Sequence, residues 1–447
     1  MSFPRVLPLR DRAAVVRHVL EERLETVLPL AMREAGLDMW LVLCQEDDYD
    51  PVFQTLMPMD TWAPIVQMLV FTDSGRTGHQ TCPRVGQASR LSGVGGSDGA
   101  DATSRVPTVA QRLSISRTNT QGLYEQPWRG QDDAEQWITL REVVEDRKPE
   151  RIGINTGSIQ WAAGGLTHNL YLQLVEAIGP EWSARLVSAE PLVTRWLSTL
   201  TDTQINLFSH VVNVAHAVLA ECFSREVIVP GVTTTTDLEW HYWQRVADLG
   251  LELAFKPFFS LKRRKSLREQ FGESDRVIRP GDLLHSDVGI KYLGLNSDHQ
   301  QAAYVLQPGE TDAPEGLRAL MSAANRLQDI YLSEFRQGLT GNELLANILT
   351  RARAEGLPNP RVYSHNLGHF LHQPGPLIGL PWEQERNPGR GDVALEHNYS
   401  FTMELCVSGP VAEWEGEEVL LGLEEDVVFT ESGCRVIDGR QTAFHLI

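Results

Sequence analysis

Five side chains of the metal-binding type follow one another along the last third of the chain, each in an apolar stretch that predicts a buried strand. They are Asp287, Asp298, His365, Glu404 and Glu425. Burying an ionised carboxylate without a partner is costly, so buried carboxylates normally lie beside a cation. Two divalent ions would neutralise the four carboxylates. The pattern therefore predicts a dinuclear metal site.

The ligand types restrict both the metal and the chemistry. Oxygen-rich ligation with a single imidazole suits Mn²⁺, Fe²⁺, Co²⁺ or Zn²⁺ better than copper or a thiolate-bound metal. Two such ions about 3.5–4 Å apart can share a hydroxide and polarise the carbonyl of a substrate. We therefore expect a hydrolase with two divalent ions, Mn²⁺ being the first choice.

Three histidines stand close together in the segment from Ser364 to Pro376, namely His365, His369 and His372. Their spacing fits one face of a helix or a strand followed by a turn, so spacing alone decides neither structure nor role. Beside the carboxylates, the simplest interpretation makes one histidine a ligand and another a proton donor. The alternative is that all three are packed or solvated histidines without a chemical role.

The elements that must position these residues form an α+β chain with two predicted domains. Residues 1–198 read as a mixed α/β domain, with a helix over 11–35, a strand at Met39–Cys44 and a helix over 158–178. Residues 199–447 form the second domain, which opens on a long helix capped by Asp202 or Thr203. Asp287 and Asp298 are separated by Gly289 and Gly294, which predicts two strands joined by a short turn.

Bulk composition excludes several classes of function. The chain has 447 residues and a net charge of −19, which argues against nucleic acid or an anionic membrane as a partner. We expect no apolar run near the roughly 20 residues of a membrane span. The N-terminal residues are charged too early for a signal peptide, so a cytoplasmic location is expected.

At this level of detail the second domain resembles a known family. The flanks Gly281-Asp-Leu-Leu-His-Ser-Asp287-Val-Gly289, Ser364-His365-x-x-Gly368-x-x-x-His372 and Phe401-Thr-Met-Glu404 are similar to segments of the "pita-bread" metallopeptidases, peptidase family M24. This family includes methionine aminopeptidase, aminopeptidase P, prolidase and creatinase. The two-domain layout resembles the branch with an N-terminal creatinase-like α/β domain before the catalytic pita-bread domain, a branch that forms homodimers.

The resemblance implies a role for each residue. Asp287 and Asp298 would bind and bridge the two metals, and His365, Glu404 and Glu425 would complete the ligand set. Glu404 would also accept the proton of the attacking water, and His372 would stabilise the oxyanion or the leaving amine. Arg390 resembles the prolidase arginine that holds a substrate carboxylate, and His369 and Gln270 are further candidates for substrate binding.

Three departures from the family pattern concern the substrate. No histidine lies between His241 and His285, where the family peptidases carry one, and an ungapped alignment puts Gln270 at that place. Gln300-Gln301 replaces the usual Thr-Arg, and Leu423 stands two positions before Glu425 in place of arginine. The basic run Lys262–Lys265 is either an attractor for an anionic substrate or a solvated turn.

Three functions remain open from the sequence. The first is a metallohydrolase of the Xaa-Pro aminopeptidase or prolidase kind, which cleaves the C–N bond of a dipeptide. The second is a creatinase-like hydrolase or lyase that acts on a small amino-acid-like metabolite. The third is a non-catalytic binding module such as the peptidase-like domains of histone chaperones, which the complete set of five ligands disfavours.

Overall fold

The computed structural model of the protein describes residues 3–73 and 110–447. Contacts divide the chain into two compact units, neither of which is continuous in sequence. The C-terminal unit comprises the stretch up to Leu20, Ser158–Ala162 and Val193–Ile447, and the N-terminal unit comprises Glu21–Gly157 and Ala163–Leu192. The chain passes between the two units several times, the last time between Leu192 and Val193. The predicted boundary between residues 198 and 199 lies a few residues after this last passage.

The N-terminal unit has one five-stranded sheet in the order β3-β2-β1-β4-β5. Its strands are β1 (Met39–Cys44), β2 (Gln67–Asp73), β3 (Ala110–Ser114), β4 (Ile152–Ile154) and β5 (Leu186–Ser188), and the helices of this part of the chain are α1 (Leu9–Ala35), α2 (Asp133–Arg147), α3 (His168–Ser183) and α4 (Glu190–Ser198). The predicted strand at Met39–Cys44 is confirmed. The helix predicted from residue 158 begins only at His168, because Thr167 caps it by accepting a hydrogen bond from the backbone of Leu170.

The C-terminal unit combines five helices with fourteen strands of the described chain. The helices are α5 (Asp202–Cys222), α6 (Thr235–Asp248), α7 (Lys265–Phe271), α8 (Glu315–Glu334) and α9 (Gly341–Ala354). The strands are β6 (Glu252–Leu253), β7 (Phe258–Lys262), β8 (Leu283–Val288), β9 (Ile290–Tyr292), β10 (Leu295–Asn296), β11 (His299–Tyr304), β12 (Arg361–His365), β13 (Leu377–Ile378), β14 (Tyr399–Thr402), β15 (Glu404–Val411), β16 (Glu417–Leu423), β17 (Asp426–Thr430), β18 (Gly433–Val436) and β19 (His445–Leu446).

These strands form four sheets, in the orders β10-β9-β6, β19-β11-β8-β7, β13-β12-β15-β16 and β14-β17-β18. Buried side chains of α5 and α6 pack on β8, β9 and β11 in one apolar core. Buried side chains of α8 and α9 pack on β12, β15 and β16 in another. A β-bridge between Gln300 and Glu424 joins the strands of the two cores, and the site residues lie around this junction.

Helix α5 is a core helix with a well-defined start. Thr201, and not Asp202 or Thr203, caps it, and Thr201 and Gln204 exchange hydrogen bonds in a capping box. Within the described residues α5 alone is long and apolar enough to cross a membrane, with a hydropathy of 1.2 over its most apolar window, half of which is buried in the protein. The helix is not an uninterrupted apolar run, since Asp202, Gln204 and His210 lie within it, and its buried face belongs to the core.

The predicted pair of strands around the two aspartates is confirmed. Strands β9 and β10 form a tight hairpin at Leu293 and Gly294, both of which have positive φ angles. Glycine is required at position 289, directly before this hairpin, because a Cβ there would lie 2.1 Å from the carbonyl oxygen of Ser297. As a result β8 and β11 run antiparallel, with Asp287 directly opposite Gln300.

Candidate active site

Four carboxylates and one imidazole converge where the two cores meet. Asp287 lies in β8, Asp298 immediately before β11, His365 at the end of β12 and Glu404 at the start of β15. The fourth carboxylate is Glu424, between β16 and β17, where it forms a β-bridge with Gln300. One ligand atom from each of Asp298, His365 and Glu424 lies within 4.8 Å of the other two. The structure thus brings together four of the five predicted ligands with one residue that the prediction passed over.

Gln300 connects two of these carboxylates. Its Nε2 amide donates to Glu404 Oε1 at 2.8 Å and to Glu424 Oε2 at 2.7 Å, so both amide protons are used on neighbouring acids. Its Oε1 faces His285 Nε2 at 3.0 Å. A neutral amide can hold the two glutamates in place, but it cannot neutralise their charge.

The electrostatics of the group favour binding of cations. Burial raises the pKa of Asp287 to about 6, and burial together with Asp287 raises the pKa of Glu404 to about 7, against a hydrogen bond from Gln300 that lowers it. Burial and the neighbouring carboxylates raise the pKa values of Asp298 and Glu424 well above the usual range. Asp298 Oδ1 and Glu424 Oε1 are buried without a hydrogen-bond partner among the described residues. Unsatisfied oxygens on like-charged acids fit divalent metal ions.

The prediction of Glu425 as a member of this group is corrected by the structure. Glu425 Oε2 lies 2.8 Å from His216 Nε2 and 3.4 Å from His299 Nδ1, on the opposite side of the chain from the carboxylate group. Successive residues of an extended chain point to opposite faces, so an error of one residue exchanges the two sides. Glu424 stands in the place that the sequence analysis gave to Glu425.

The surroundings of Glu425 form a second polar group, which we call the histidine group: His216, His299, Glu425, Asp426 and Asp438. Burial alone would raise the pKa of Glu425, but the hydrogen bond from His216 and the nearby imidazole of His299 outweigh it and lower that pKa to about 2. Burial likewise opposes protonation of His216, yet Asp438 and Glu425 raise its pKa to about 10. Burial and the charge of His216 lower the pKa of His299 to about 4.

Of the predicted catalytic and substrate residues, the structure places His372 and Arg390 next to the carboxylate group. The ring of His372 lies 4.3 Å from that of His365, measured between centroids. Arg390 is half-buried and donates to the carbonyl of Gln373 at 3.2 Å, and its Nε has no partner among the described residues. Burial lowers the pKa of Arg390, and its charge in turn contributes to the lowered pKa of His365.

The other two predicted substrate residues, His369 and Gln270, make their contacts away from the carboxylate group. His369 is half-buried, with its Nε2 at 3.3 Å from the side-chain amide of Gln204. Gln270 is exposed on the short helix α7, and the polar contacts of that helix run through Arg268 to Glu273 and Glu417. The structure therefore does not bring Gln270 to the carboxylate group, because an ungapped alignment took no account of the separate helix α7.

The basic run Lys262–Lys265 is largely structural. Arg263 is 2% exposed, and its guanidinium donates to Asp282 and Asp275 at 2.7 and 2.9 Å. Lys262 donates to the carbonyl of Glu418, and Arg264 donates to Gln307. Arg263 is buried and paired with acids, so it fits neither of the two predicted roles of the basic run, an attractor for an anionic substrate or a solvated turn.

An open cleft of about 570 Å³ lies beside His372. It is lined by Trp161, Glu252, Leu253, Ala254, Lys291, Asn296, His369, Phe370, Leu371 and His372. Trp161 donates its ring N–H to the carbonyl of His372 at 2.5 Å and packs edge-on against Phe370 with the ring centroids 5.3 Å apart. The cleft offers a mixed polar and aromatic surface to a small ligand.

Sequence reasoning missed several residues of the site. Tyr363 lies opposite Glu404 in the ladder of β12 and β15, and burial raises its pKa above the usual range. His216 and His299 stood in apolar or strand patterns without a recognised partner. Alternation along β11, with Asp298 and Gln300 on one side and His299 and Gln301 on the other, was the signal that could have separated the two groups.

Comparison with known proteins gives a family and several relatives. The description "Metallopeptidase family M24" matches residues 206–431. The chain is 24% identical over 305 residues to the "Uncharacterized peptidase YqhT" of Bacillus subtilis (strain 168), a match that covers 67% of this chain and 76% of that protein.

Two solved structures show the same fold over nearly the whole chain. The X-Pro aminopeptidase from Thermotoga maritima MSB8 has a TM-score of 0.63 at 17% identity, with 94% of this chain and 100% of that chain covered. The Xaa-Pro dipeptidase from Bacillus anthracis has a TM-score of 0.57 at 16% identity, with 96% and 100% covered. The predicted α+β architecture with a pita-bread domain is thereby confirmed.

The family match spans just over half of the chain and includes every residue of the carboxylate group. It agrees with the chemistry of that group, which is a candidate ligand set for divalent metal ions. The chain is a hydrolytic enzyme and belongs to metallopeptidase family M24.

Proposed function

We propose that this enzyme is a dinuclear metal-dependent hydrolase that cleaves the C–N bond of an Xaa-Pro dipeptide or a similar short peptide. The observation that carries the proposal is the convergence of Asp287, Asp298, His365, Glu404 and Glu424, of which Asp298, His365 and Glu424 are buried within reach of one ion. Four carboxylates at this spacing match two divalent ions in charge. Mn²⁺ is the ion we propose first, with Fe²⁺, Co²⁺ and Zn²⁺ as the alternatives that the same donors accept.

When bound, the two ions would activate a water molecule and polarise the scissile carbonyl. Residues of this chain would accept and donate the protons of the reaction. Glu404 lies at the start of β15 with one oxygen held by Gln300, and it is the group we assign to accept the proton of the attacking water. His372, on the open side of His365, donates to the developing oxyanion or to the leaving amine.

Arg390 supports a substrate with a free carboxylate. Its guanidinium is half-buried near Tyr363 and His372 and retains an unpartnered Nε among the described residues. A guanidinium in such a position can bind a carboxylate through two parallel N–H donors. The C-terminal carboxylate of a dipeptide is the group that we propose it holds.

The test is a panel of Xaa-Pro dipeptides, each compared with its C-terminal amide, on protein loaded with Mn²⁺. Losing a charge-assisted hydrogen bond costs about 1.5–3 kcal/mol, so Arg390→Ala should lower kcat/KM for the acids about 10- to 100-fold and affect the amides little. Gln270→Ala, on the exposed helix α7, is the matched control and should leave both unchanged. Failure of the Mn²⁺-loaded enzyme to hydrolyse any Xaa-Pro compound would reject the peptidase proposal.

A creatinase-like reaction on a small amino-acid-like metabolite is the second candidate. The observation in its favour is that residues 242–284 contain no histidine and that Gln270 does not substitute for one at the carboxylate group. A peptidase-inactive enzyme that hydrolyses a guanidino or amide metabolite, with Arg390 still required, would select this alternative.

We also propose a homodimer in the cytoplasm, without nucleic acid or a membrane as partner. The acidic net charge of −19 supports the exclusion of nucleic acid. Light scattering coupled to size-exclusion chromatography measures the assembly. A mass equal to a single chain at micromolar concentration would contradict the dimer.

A further inference from the structure

The histidine group holds three ligand atoms around one point. His216 Nε2 lies 2.8 Å and His299 Nδ1 lies 3.4 Å from the same oxygen, Glu425 Oε2. The two imidazole rings are 4.4 Å apart between centroids and inclined by 49°. The other oxygen of Glu425 is already used, since it accepts hydrogen bonds from the backbone of Gln441 and the side chain of Gln301. Helix α5, strand β11 and the position directly before β17 each contribute one residue.

The second nitrogen of each ring faces a carboxylate. His216 Nδ1 lies 3.5 Å from Asp438 Oδ2, and His299 Nε2 lies 3.6 Å from Asp426 Oδ2. Metal-bound histidines characteristically direct their other ring nitrogen to a carboxylate, which fixes the tautomer and makes the ligating nitrogen more basic. This arrangement occurs twice within the histidine group.

The side chain of His299 has no hydrogen-bond partner among residues 3–73 and 110–447. It is fully buried, and neither ring nitrogen makes a hydrogen bond of ordinary geometry with any described residue. Buried polar atoms are nearly always satisfied, and each exception calls for a bound ligand or ion. Here the unsatisfied Nδ1 is directed at the oxygen that it would share with a cation.

We propose that His216, His299 and Glu425 form a further metal site, separate from the carboxylate group, that binds one divalent ion of the Zn²⁺ type. Tetrahedral Zn²⁺ with bonds of about 2.0–2.1 Å separates its ligand atoms by about 3.3 Å. The distance of 3.4 Å between His299 and Glu425 meets this geometry, and the 2.8 Å contact of His216 must open by about half an ångström.

The donor set distinguishes this site from the carboxylate group. Two imidazoles and one carboxylate favour Zn²⁺, whereas the oxygen-rich carboxylate group accepts Mn²⁺. The ion would join α5 to β11 and to the chain directly before β17. Because His299 and Glu425 directly follow Asp298 and Glu424 in sequence, it would also position the backbone that carries two residues of the carboxylate group.

The first test counts zinc in a full-length variant whose carboxylate group is disabled by Asp287→Asn, His365→Ala and Glu404→Gln. This variant should retain one equivalent of Zn²⁺ per chain after dialysis against a weak chelator, measured by inductively coupled plasma mass spectrometry. A folded variant without zinc would overturn the proposal, because the histidine group would then be held by a proton on His216 and not by a metal.

The second test adds His216→Ala to that variant, with His210→Ala as the matched control. His210 lies on the same helix but contacts the backbone of Arg5 and not the histidine group. Loss of the zinc equivalent in the His216 variant and its retention in the control is the expected result. Retention in both would place the zinc elsewhere and reject the site.

A third measurement needs no change to the histidine group. Co²⁺ bound in place of zinc to the Asp287→Asn, His365→Ala, Glu404→Gln variant should show the strong visible absorption of a tetrahedral ion, and X-ray absorption at the zinc edge of the zinc-loaded variant should show the outer scattering of two imidazoles. A weak octahedral spectrum would contradict the assignment. Since the carboxylate group is disabled throughout, these results do not depend on the peptidase proposal.

Discussion

Strand β11 and the chain paired with it at Glu424 have two faces whose acidic residues lie in opposite electrostatic surroundings. Asp298, Gln300 and Glu424 face the carboxylate group, while the residues that follow each of them, His299, Gln301 and Glu425, face the histidine group. Alternation of side chains along extended backbone is enough to produce this division. One face accumulates negative charge that only cations can balance, and the other pairs its acids with imidazoles.

The two faces differ in how their ionised acids affect the stability of the fold before any metal binds. On the carboxylate face, burial raises the pKa values of Asp287 and Glu404 to about 6 and about 7, so that ionising them destabilises the fold. On the histidine face, His216 and His299 lower the pKa of Glu425 to about 2, so that its ionised form stabilises the fold. Function is therefore expected to depend on the first face and stability on the second.

The strongest test of this division compares Glu424→Gln with Glu425→Gln. Glu424→Gln should remove metal from the carboxylate group and lower kcat by roughly 10³-fold, since a metal supplies several kcal/mol of transition-state stabilisation. Glu425→Gln should keep most of the activity and lose about 3 kcal/mol of the free energy of unfolding, because it leaves His216 without its buried partner. Activity assays, metal analysis and urea unfolding measure the three quantities. If the Glu425 variant were the inactive one, the assignment of the faces would be reversed.

The same pair of residues shows how far sequence reasoning reached. Asp287, Asp298, His365 and Glu404 have no acidic residue directly beside them in sequence, and the structure brings these four together. Glu424, Glu425 and Asp426 are consecutive acids, and the apolar residues on both sides fit either register. Only the pairing of Gln300 with Glu424 decides which acid faces inward, and that pairing joins residues far apart in sequence.

Local sequence signals predicted the secondary structure of elements whose bounds do not depend on contacts with other parts of the chain. The strand Met39–Cys44 is a continuous apolar run and was predicted with its bounds. The start of α3 was misplaced because the segment before Thr167 contains a short 3-10 helix, Trp161–Gly164, and no regular α-helix. Gln270 was misjudged for a tertiary reason, since α7 carries it to the surface between β7 and β8.

A second comparison uses the two glutamines of β11. Gln300→Ala deprives Glu404 and Glu424 of their shared donor, and loss of an outer partner of metal ligands typically lowers metal affinity or activity 10- to 100-fold. Gln301→Ala, on the histidine face, removes contacts to Glu425 and His445 and should change activity less than the Gln300 variant does. Metal titrations and kcat/KM measure both. Equal losses in the two variants would show that the faces are not separable in function.

The smallest effect is the pH dependence of stability in protein treated with EDTA, and its sign should differ between the faces. The pKa of Glu404 is raised, so the folded chain retains a proton that the unfolded chain has lost between about pH 4.5 and 7. Its contribution to stability therefore falls as the pH rises through this window. Glu404→Gln should stabilise the metal-free protein at pH 8 by about 2 kcal/mol and leave it nearly unchanged at pH 4.

Glu425 reverses this order, because its lowered pKa gives stability that is complete above about pH 4.5 and is lost as the pH falls toward 2. Glu425→Gln should therefore destabilise the metal-free protein at pH 8 and do so less at pH 3. Urea unfolding of both variants at the two ends of the range provides the measurement. A Glu404→Gln protein less stable than the parent at pH 8 in EDTA would mean that the carboxylate face is not under electrostatic strain, and the contrast between the faces would then rest on their ligands alone.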